Sequence, residues 1–105
     1  MDIERALSGC TGFQWDQGNS LKSWLKHRVA RQEAEQVFFI NPVFFDDEPH
    51  SEHELRFLAF GIIEEGRHLV VAFTIRELYI RIISARAMNR KEKEVYEKTQ
   101  TNPQV

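Results

Sequence analysis

Three apolar runs, at residues 55–63, 68–75 and 79–85, follow one another so closely that they leave the chain few possible folds. Each is short and rich in Val, Ile, Leu and Phe, the composition of strands. Glu64, Glu65, Gly66 and Arg67 between the first two read as a hairpin turn. The next link, Arg76, Glu77 and Leu78, is shorter and has no Gly, Asn or Asp to set its geometry. Links this short allow an antiparallel meander and no crossover. The runs do not alternate cleanly between apolar and polar. Leu55, Phe57 and Ala59 fall on one face and Leu58, Phe60 and Ile62 on the other, and "HLVVAFT" is apolar on both. A sheet with one wet face has a polar row. Both faces are therefore expected to be covered, one by helices and the other partly by the domain itself and partly by a partner.

"GFQW" at Gly12–Trp15 predicts a strand before the meander. Asp16 is placed as an N-cap for a helix over 17–26, with Leu21, Trp24 and Leu25 on one side. A second helix is predicted over 31–39, where Ala34, Val37 and Phe38 form the apolar stripe. Ala30 stands at its cap position, and Asn41 with Pro42 closes it. Asp46 to His53 reads as an acidic loop. Asn89 and Glu92 form a capping-box pair ahead of a last helix over 90–98. The expected fold is α+β, in the order β-α-α-β-β-β-α, with a mainly antiparallel four-stranded sheet packed by helices.

At 105 residues this is one domain, 1–105, with 99–105 as a flexible tail. Eight Phe residues and an apolar fraction of 42% indicate a globular chain. The net charge of −2 gives no global pull toward nucleic acid or membrane, but the charge is uneven. Residues 44–66 hold seven acids against the single base Arg56, and residues 76–98 hold seven bases against four acids. The basic end calls for an anionic partner. Cys10 is the sole cysteine, which fits a reducing, cytoplasmic setting. The N-terminal residues are expected to be neither a signal peptide nor a membrane span.

The chemistry-bearing residues start with Arg81 and Arg86, inside the isoleucine-rich third run. They are either salt-bridged arginines at the strand's ends, with acids such as Glu54 as partners, or a clamp for phosphate. In a regular strand they point to opposite faces unless a bulge re-aims one of them. Glu54 and Arg56 share a face and form an ion pair or support Arg81. Lys26 and His27 close the first helix. They offset its dipole there, or His27 serves as a general acid or base. Tyr96 lies one helical turn after Glu92 and either packs on the sheet or joins the chemistry. His50 and His53 beside Asp46 and Asp47 suggest a metal site, but the spacing is loose and no second ligand cluster is present, so a solvated loop is expected. No cofactor or metal is expected, and no Gly-rich phosphate loop, zinc pattern or nucleophile elbow is found.

These residues line up with a known family. "GFQWD" and "WLKH" (within 12–27), "EAEQVFF" (33–39), "RFLAFG" (56–61), "LVVAFT" (69–74) and "IRIISAR" (80–86) with the following Glu92 and Tyr96 closely resemble the BrnT toxins of BrnT/BrnA type II toxin–antitoxin systems. The resemblance covers about residues 9–97. It implies a RelE-like fold, ribonuclease activity that arrests translation, neutralisation by a BrnA-like antitoxin, and operator DNA binding only through the antitoxin complex. By position, the family's recurrent residues fall on Lys26, His27, Glu54, Arg56, Arg81, Ser84, Arg86 and Tyr96. Where the family has glycine this chain has Arg28, and where it has a polar cap this chain has Ala30. Its usual Arg-Gly-Asp turn is here Arg76-Glu77-Leu78.

The expected chemistry is metal-independent cleavage, in which the RNA's own 2′-hydroxyl attacks the adjacent phosphate. Such a reaction needs a base, an acid and stabilisation of the phosphorane charge. Arg81 and Arg86, supported by Arg56, are the candidates for the charge. His27, Glu54 and Tyr96 are the candidates for proton transfer or for orienting the arginines. Lys26, Arg76 and Arg90 are candidate contacts to backbone phosphates. The alternatives are a non-catalytic partner-binding module, or a degenerate toxin that only docks its antitoxin.

Overall fold

The computed structural model describes residues 2–50 and 54–101. Among the described residues, four helices and five strands follow in the order α1 Ile3–Ser8, β1 Gly12–Trp15, α2 Gln17–His27, α3 Arg31–Gln36, β2 Val43–Asp46, β3 Phe57–Ile62, β4 His68–Arg76, β5 Tyr79–Ala87 and α4 Arg90–Thr101. Single-turn 3₁₀ helices lie at Val37–Phe39 and Glu48–His50. The strands form one sheet in the order β1-β5-β4-β3-β2. β1 runs parallel to β5, and the other neighbours are antiparallel.

The sheet is therefore five-stranded and mixed, one strand more than the sequence suggests. The extra strand is β2, inside the stretch otherwise read as a helix exit and loop. Helix α1 is also additional. Asp2 caps it by accepting from the Arg5 amide at 3.3 Å. Helix α3 passes at Gln36 into the 3₁₀ turn Val37–Phe39, so the two together fill the predicted 31–39, and Ala30 at its start has no side-chain acceptor for the first-turn amides. Only half a capping box forms, with Glu33 accepting from the Ala30 amide at 2.9 Å. Helix α4 has the complete box: Asn89 Oδ1 accepts from the Glu92 amide at 2.8 Å and Glu92 Oε1 from the Asn89 amide at 2.9 Å. It runs on to Thr101 instead of ending at Lys98.

One face of the sheet carries the main core. Leu69, Val71 and Phe73 of β4, Phe57 and Ala59 of β3, and Ile80, Ile82 and Ala85 of β5 are buried there against Val29, Ala34 and Val37. The Val, Leu, Ile and Phe side chains among them each contribute about 1.5–3 kcal/mol on burial. Gly61 lets the Val37 turn close onto β3, since a Cβ at that position would stand 2.8 Å from Val37 Cγ1. The opposite face holds a smaller cluster, Phe60, Val70, Met88 and Tyr96, where α4 crosses it. The helices thus divide between the two faces, with α4 covering only one end of the second.

Helix α2 lies along the edge of β5 that β1 leaves free. The buried Ser23 hydroxyl accepts from the Ala85 amide at 3.1 Å, supplying the bond a neighbouring strand would give. Arg67 secures the helix end by donating to the carbonyls of His27 and Arg28 at 3.2 and 2.8 Å and to Glu33. Leu21, Trp24 and Leu25, the apolar side of the predicted helix, point away from the core and are exposed.

Candidate active site

The orientation of the two strand arginines is decided by a bulge. Across β4 and β5, Thr74 pairs with Arg81 and Phe73 with Ile82, but Ala72 pairs with Ser84 and Val70 with Arg86. Ile83 is the extra residue, and beyond it the facing of β5 is inverted. Arg81, Ser84 and Arg86 consequently share the second face with Val70, Ala72 and Thr74, while Ile80, Ile82 and Ala85 all point into the main core. Their cross-strand partners Thr74 and Val70 are four residues apart, so the two arginines are about 13 Å apart along the strand. Between them the face carries the small side chains of Ala72 and Ser84.

The Arg81 side chain is 25% exposed. Arg81 Nη2 is 3.7 Å from Oδ2 of Asp16, whose Oδ1 caps α2 by accepting from the Asn19 amide at 3.2 Å. Gln14 stands beside Arg81 through the parallel β1 pairing. One step beyond the β3–β4 register, Arg56 falls opposite Thr74 on the same face, and the Thr74 hydroxyl donates to the Leu55 carbonyl at 2.7 Å. Glu54 accepts from Arg76 Nε at 2.9 Å. That bond, followed by the positive charges of Arg76, Arg56 and Arg81, holds the Glu54 carboxyl below the usual carboxylate range.

Helix α4 flanks the Arg86 end without burying the guanidinium. Arg86 forks onto Glu92, with Nη1 to Oε1 at 2.7 Å and Nη2 to Oε2 at 2.8 Å. These bonds hold the Glu92 carboxyl below its ordinary range. Tyr96 is buried one turn later, and its hydroxyl donates to the Asn41 carbonyl at 3.0 Å. Burial pushes its phenol up. His68 stands edge-on to Tyr96. His27 ends α2, its carbonyl bound by Arg67.

The predicted site residues therefore fall into two groups on one face. Arg81, Arg56, Glu54 and Arg76 gather at one end, and Arg86 and Tyr96 at the end that α4 flanks. Lys26 lies exposed on α2, and Arg90 lies on α4 paired with Glu94 at 3.7 Å. Glu54 is not the partner of either strand arginine: it pairs with Arg76, while Asp16 and Glu92 hold Arg81 and Arg86. Sequence reasoning gave Asp16 and Glu92 only capping roles, and each both caps a helix and binds an arginine. The doubling has a signal in each case: a cap residue next to a strand end stands where that strand's side chains emerge. The possible metal site at His50 and His53 needs His53, which lies outside the described residues.

A family model for the ribonuclease toxin BrnT of type II toxin–antitoxin systems matches residues 15–92. The chain belongs to this family of toxins, whose systems pair each toxin with an antitoxin. Among solved structures, that of the Brucella abortus ribonuclease toxin BrnT matches with a TM-score of 0.60 at 17% identity, over 76% of this chain and 99% of that one. At that identity the match shows a shared fold. No curated protein sequence matches the chain. Among the described residues no helix is long and apolar enough to cross a membrane.

Proposed function

We propose that this chain is an endoribonuclease that cuts RNA without a metal, arrests translation in the cytoplasm, and is neutralised by a BrnA-like antitoxin through which alone it reaches operator DNA. The observation that carries the reading is the Ile83 bulge, which puts Arg81 and Arg86 on one face with small side chains between them. A polynucleotide strand lying along that face meets a guanidinium at each end. The RNA's 2′-hydroxyl attacks the adjacent phosphorus, the bond to the 5′-oxygen breaks, and a cyclic phosphate and a 5′-hydroxyl remain. Arg81, with Arg56 beside it, stabilises the phosphorane charge, and Arg86 holds a neighbouring phosphate.

Glu54, kept ionised by Arg76, is an acceptor suited to orienting Arg56 and Arg81 or to taking the 2′-hydroxyl proton. His27 is the other proton-transfer candidate. Tyr96, buried and bonded to Asn41, acts by positioning α4 over the Arg86 end. Lys26, Arg76 and Arg90 are peripheral phosphate contacts.

A second reading has its own support. Arg76, Arg81, Arg86 and Arg90 all lie against carboxylates of this chain, the arrangement of a toxin that docks its antitoxin and does not cut. One experiment separates the two. Purified chain is incubated with RNA and chelator, beside Arg81→Ala and Arg86→Ala. The enzyme reading expects cleavage that survives chelation and falls by about 10²–10³-fold in Arg81→Ala, the usual cost of one transition-state donor. In cells lacking antitoxin, growth arrest by both variants at unchanged protein level rejects the arginine assignment.

A further inference from the structure

Helix α2 is inside out. The residue it buries is Ser23, and its apolar residues face solvent: Leu21 is 55% exposed, Trp24 46% and Leu25 61%. They fall at i, i+3 and i+4, the spacing of a continuous stripe. Arg28 follows one turn on, its guanidinium 5.4 Å over the Trp24 ring. A stripe of this kind at helical spacing marks an interaction surface.

The charge around it is of one sign. From residue 17 to residue 32 there is no Asp or Glu, while Lys22, Lys26, Arg28 and Arg31 are all basic. This is unlike the rest of an acidic chain, and unlike the sheet face, where the arginines lie against carboxylates. The apolar stripe therefore has a cationic rim that nothing in the described residues neutralises.

Resting on the toxin–antitoxin reading above, we infer that the outer face of α2 is a docking surface for the antitoxin, which lays on it a segment of apolar side chains bordered by Asp and Glu. The chemistry selects this occupant. RNA needs the cations but offers nothing to Leu21 and Leu25, whose side chains carry neither a π-face nor a donor. A second copy meeting this one about a two-fold axis sets the same patch against itself, bringing Lys22, Lys26 and Arg28 against their own kind. An acidic amphipathic segment matches both the stripe and its rim.

The probe is the protein encoded by the reading frame beside this gene, purified and titrated against the full chain. Leu21→Glu/Leu25→Glu changes only exposed side chains, and an unchanged melting curve establishes its fold. The expected result is antitoxin affinity lowered by about 100-fold, the scale of losing central apolar anchors, with RNA cleavage at the wild-type rate. Lys22→Glu leaves every apolar atom in place and lowers affinity by about tenfold, more at low salt. Affinity of the double variant within threefold of wild type overturns the assignment. So does a variant that keeps its antitoxin but loses RNA cleavage, which makes the stripe an RNA contact. Wild-type self-association that the variant abolishes at unchanged antitoxin affinity makes it a homodimer surface and overturns it too. A wild-type chain that binds antitoxin through the stripe and cuts no RNA supports the docking surface while rejecting the ribonuclease reading.

Discussion

Glu77 and Arg28 both hold backbone conformations that favour glycine, with φ of 54° in each. Glu77 is the first of the two residues linking β4 to β5, the position glycine takes in the hairpin turns that match strand twist. A side chain in the left-handed region costs about 1–2 kcal/mol. Replacing Glu77 by glycine removes that cost and adds some entropy to the unfolded chain. Glu77→Gly is therefore expected to stabilise the protein by about 0.5–1 kcal/mol, which raises Tm by about 4 °C in a chain of this size. A Tm that falls in thermal unfolding shows that the turn tolerates its φ without strain. Arg28, the C-cap of α2, gains less from the same change, because its side chain stacks on Trp24. Both positions were visible in the sequence as departures from the resembled family, because the left-handed region is a steric rule that acts on single residues.

At the scale of elements, Glu92 is where the most structure converges. It completes the cap of α4 and holds Arg86 through both oxygens. Arg86 first, and the Asn89 amide after it, keep its carboxyl below the ordinary range. A carboxylate depressed in this way adds stability at pH above its unfolded value, about 4.3. That share is lost as pH falls through the lower folded value. Glu92→Gln is thus expected to be less stable than wild type near neutrality by about 1–2 kcal/mol, a modest figure because Arg86 is 39% exposed. In acid the two Tm curves converge. A gap between them that stays constant from neutral pH to about pH 3 would assign the loss to packing and not to the ion pair.

The cap of α4 was legible because capping is local: Asn89 and Glu92 are three apart, and the rule needs nothing else. The meander and the Asp16 cap were legible for the same reason. Helix α1, β2 and the Ile83 bulge were not. β2 is four residues, "VFFD", straight after Asn41 and Pro42, and it extends only because β3 offers it a partner. The bulge falls in an unbroken "RIISAR", with no glycine to mark it, and is set by how β5 pairs with β4. Periodicity gives the apolar side of α2, Leu21, Trp24 and Leu25, without giving its direction, and that side faces solvent. Ser23 turns inward to complete the edge of β5.

For the whole molecule, the net charge of −2 conceals two kinds of cation. Of the six proposed to meet RNA, Arg76, Arg81, Arg86 and Arg90 each lie against a carboxylate of the same chain. Binding a single strand releases counterions with a salt slope of about −0.7 per phosphate neutralised, so six fully available cations give a slope near −4. A guanidinium already neutralised by Glu54 or Glu92 exchanges one anion for another and releases fewer ions. The slope expected for a non-cleavable 2′-deoxy oligonucleotide is accordingly shallow, about −2. Glu54→Gln frees Arg76, so it is expected to tighten binding and steepen the slope by about 0.7. Titrations between about 50 and 200 mM salt check both numbers. A wild-type slope near −4 that Glu54→Gln leaves unchanged means that RNA displaces the internal carboxylates at no cost. The pairing on the sheet face then plays no part in limiting how tightly this acidic chain holds its substrate.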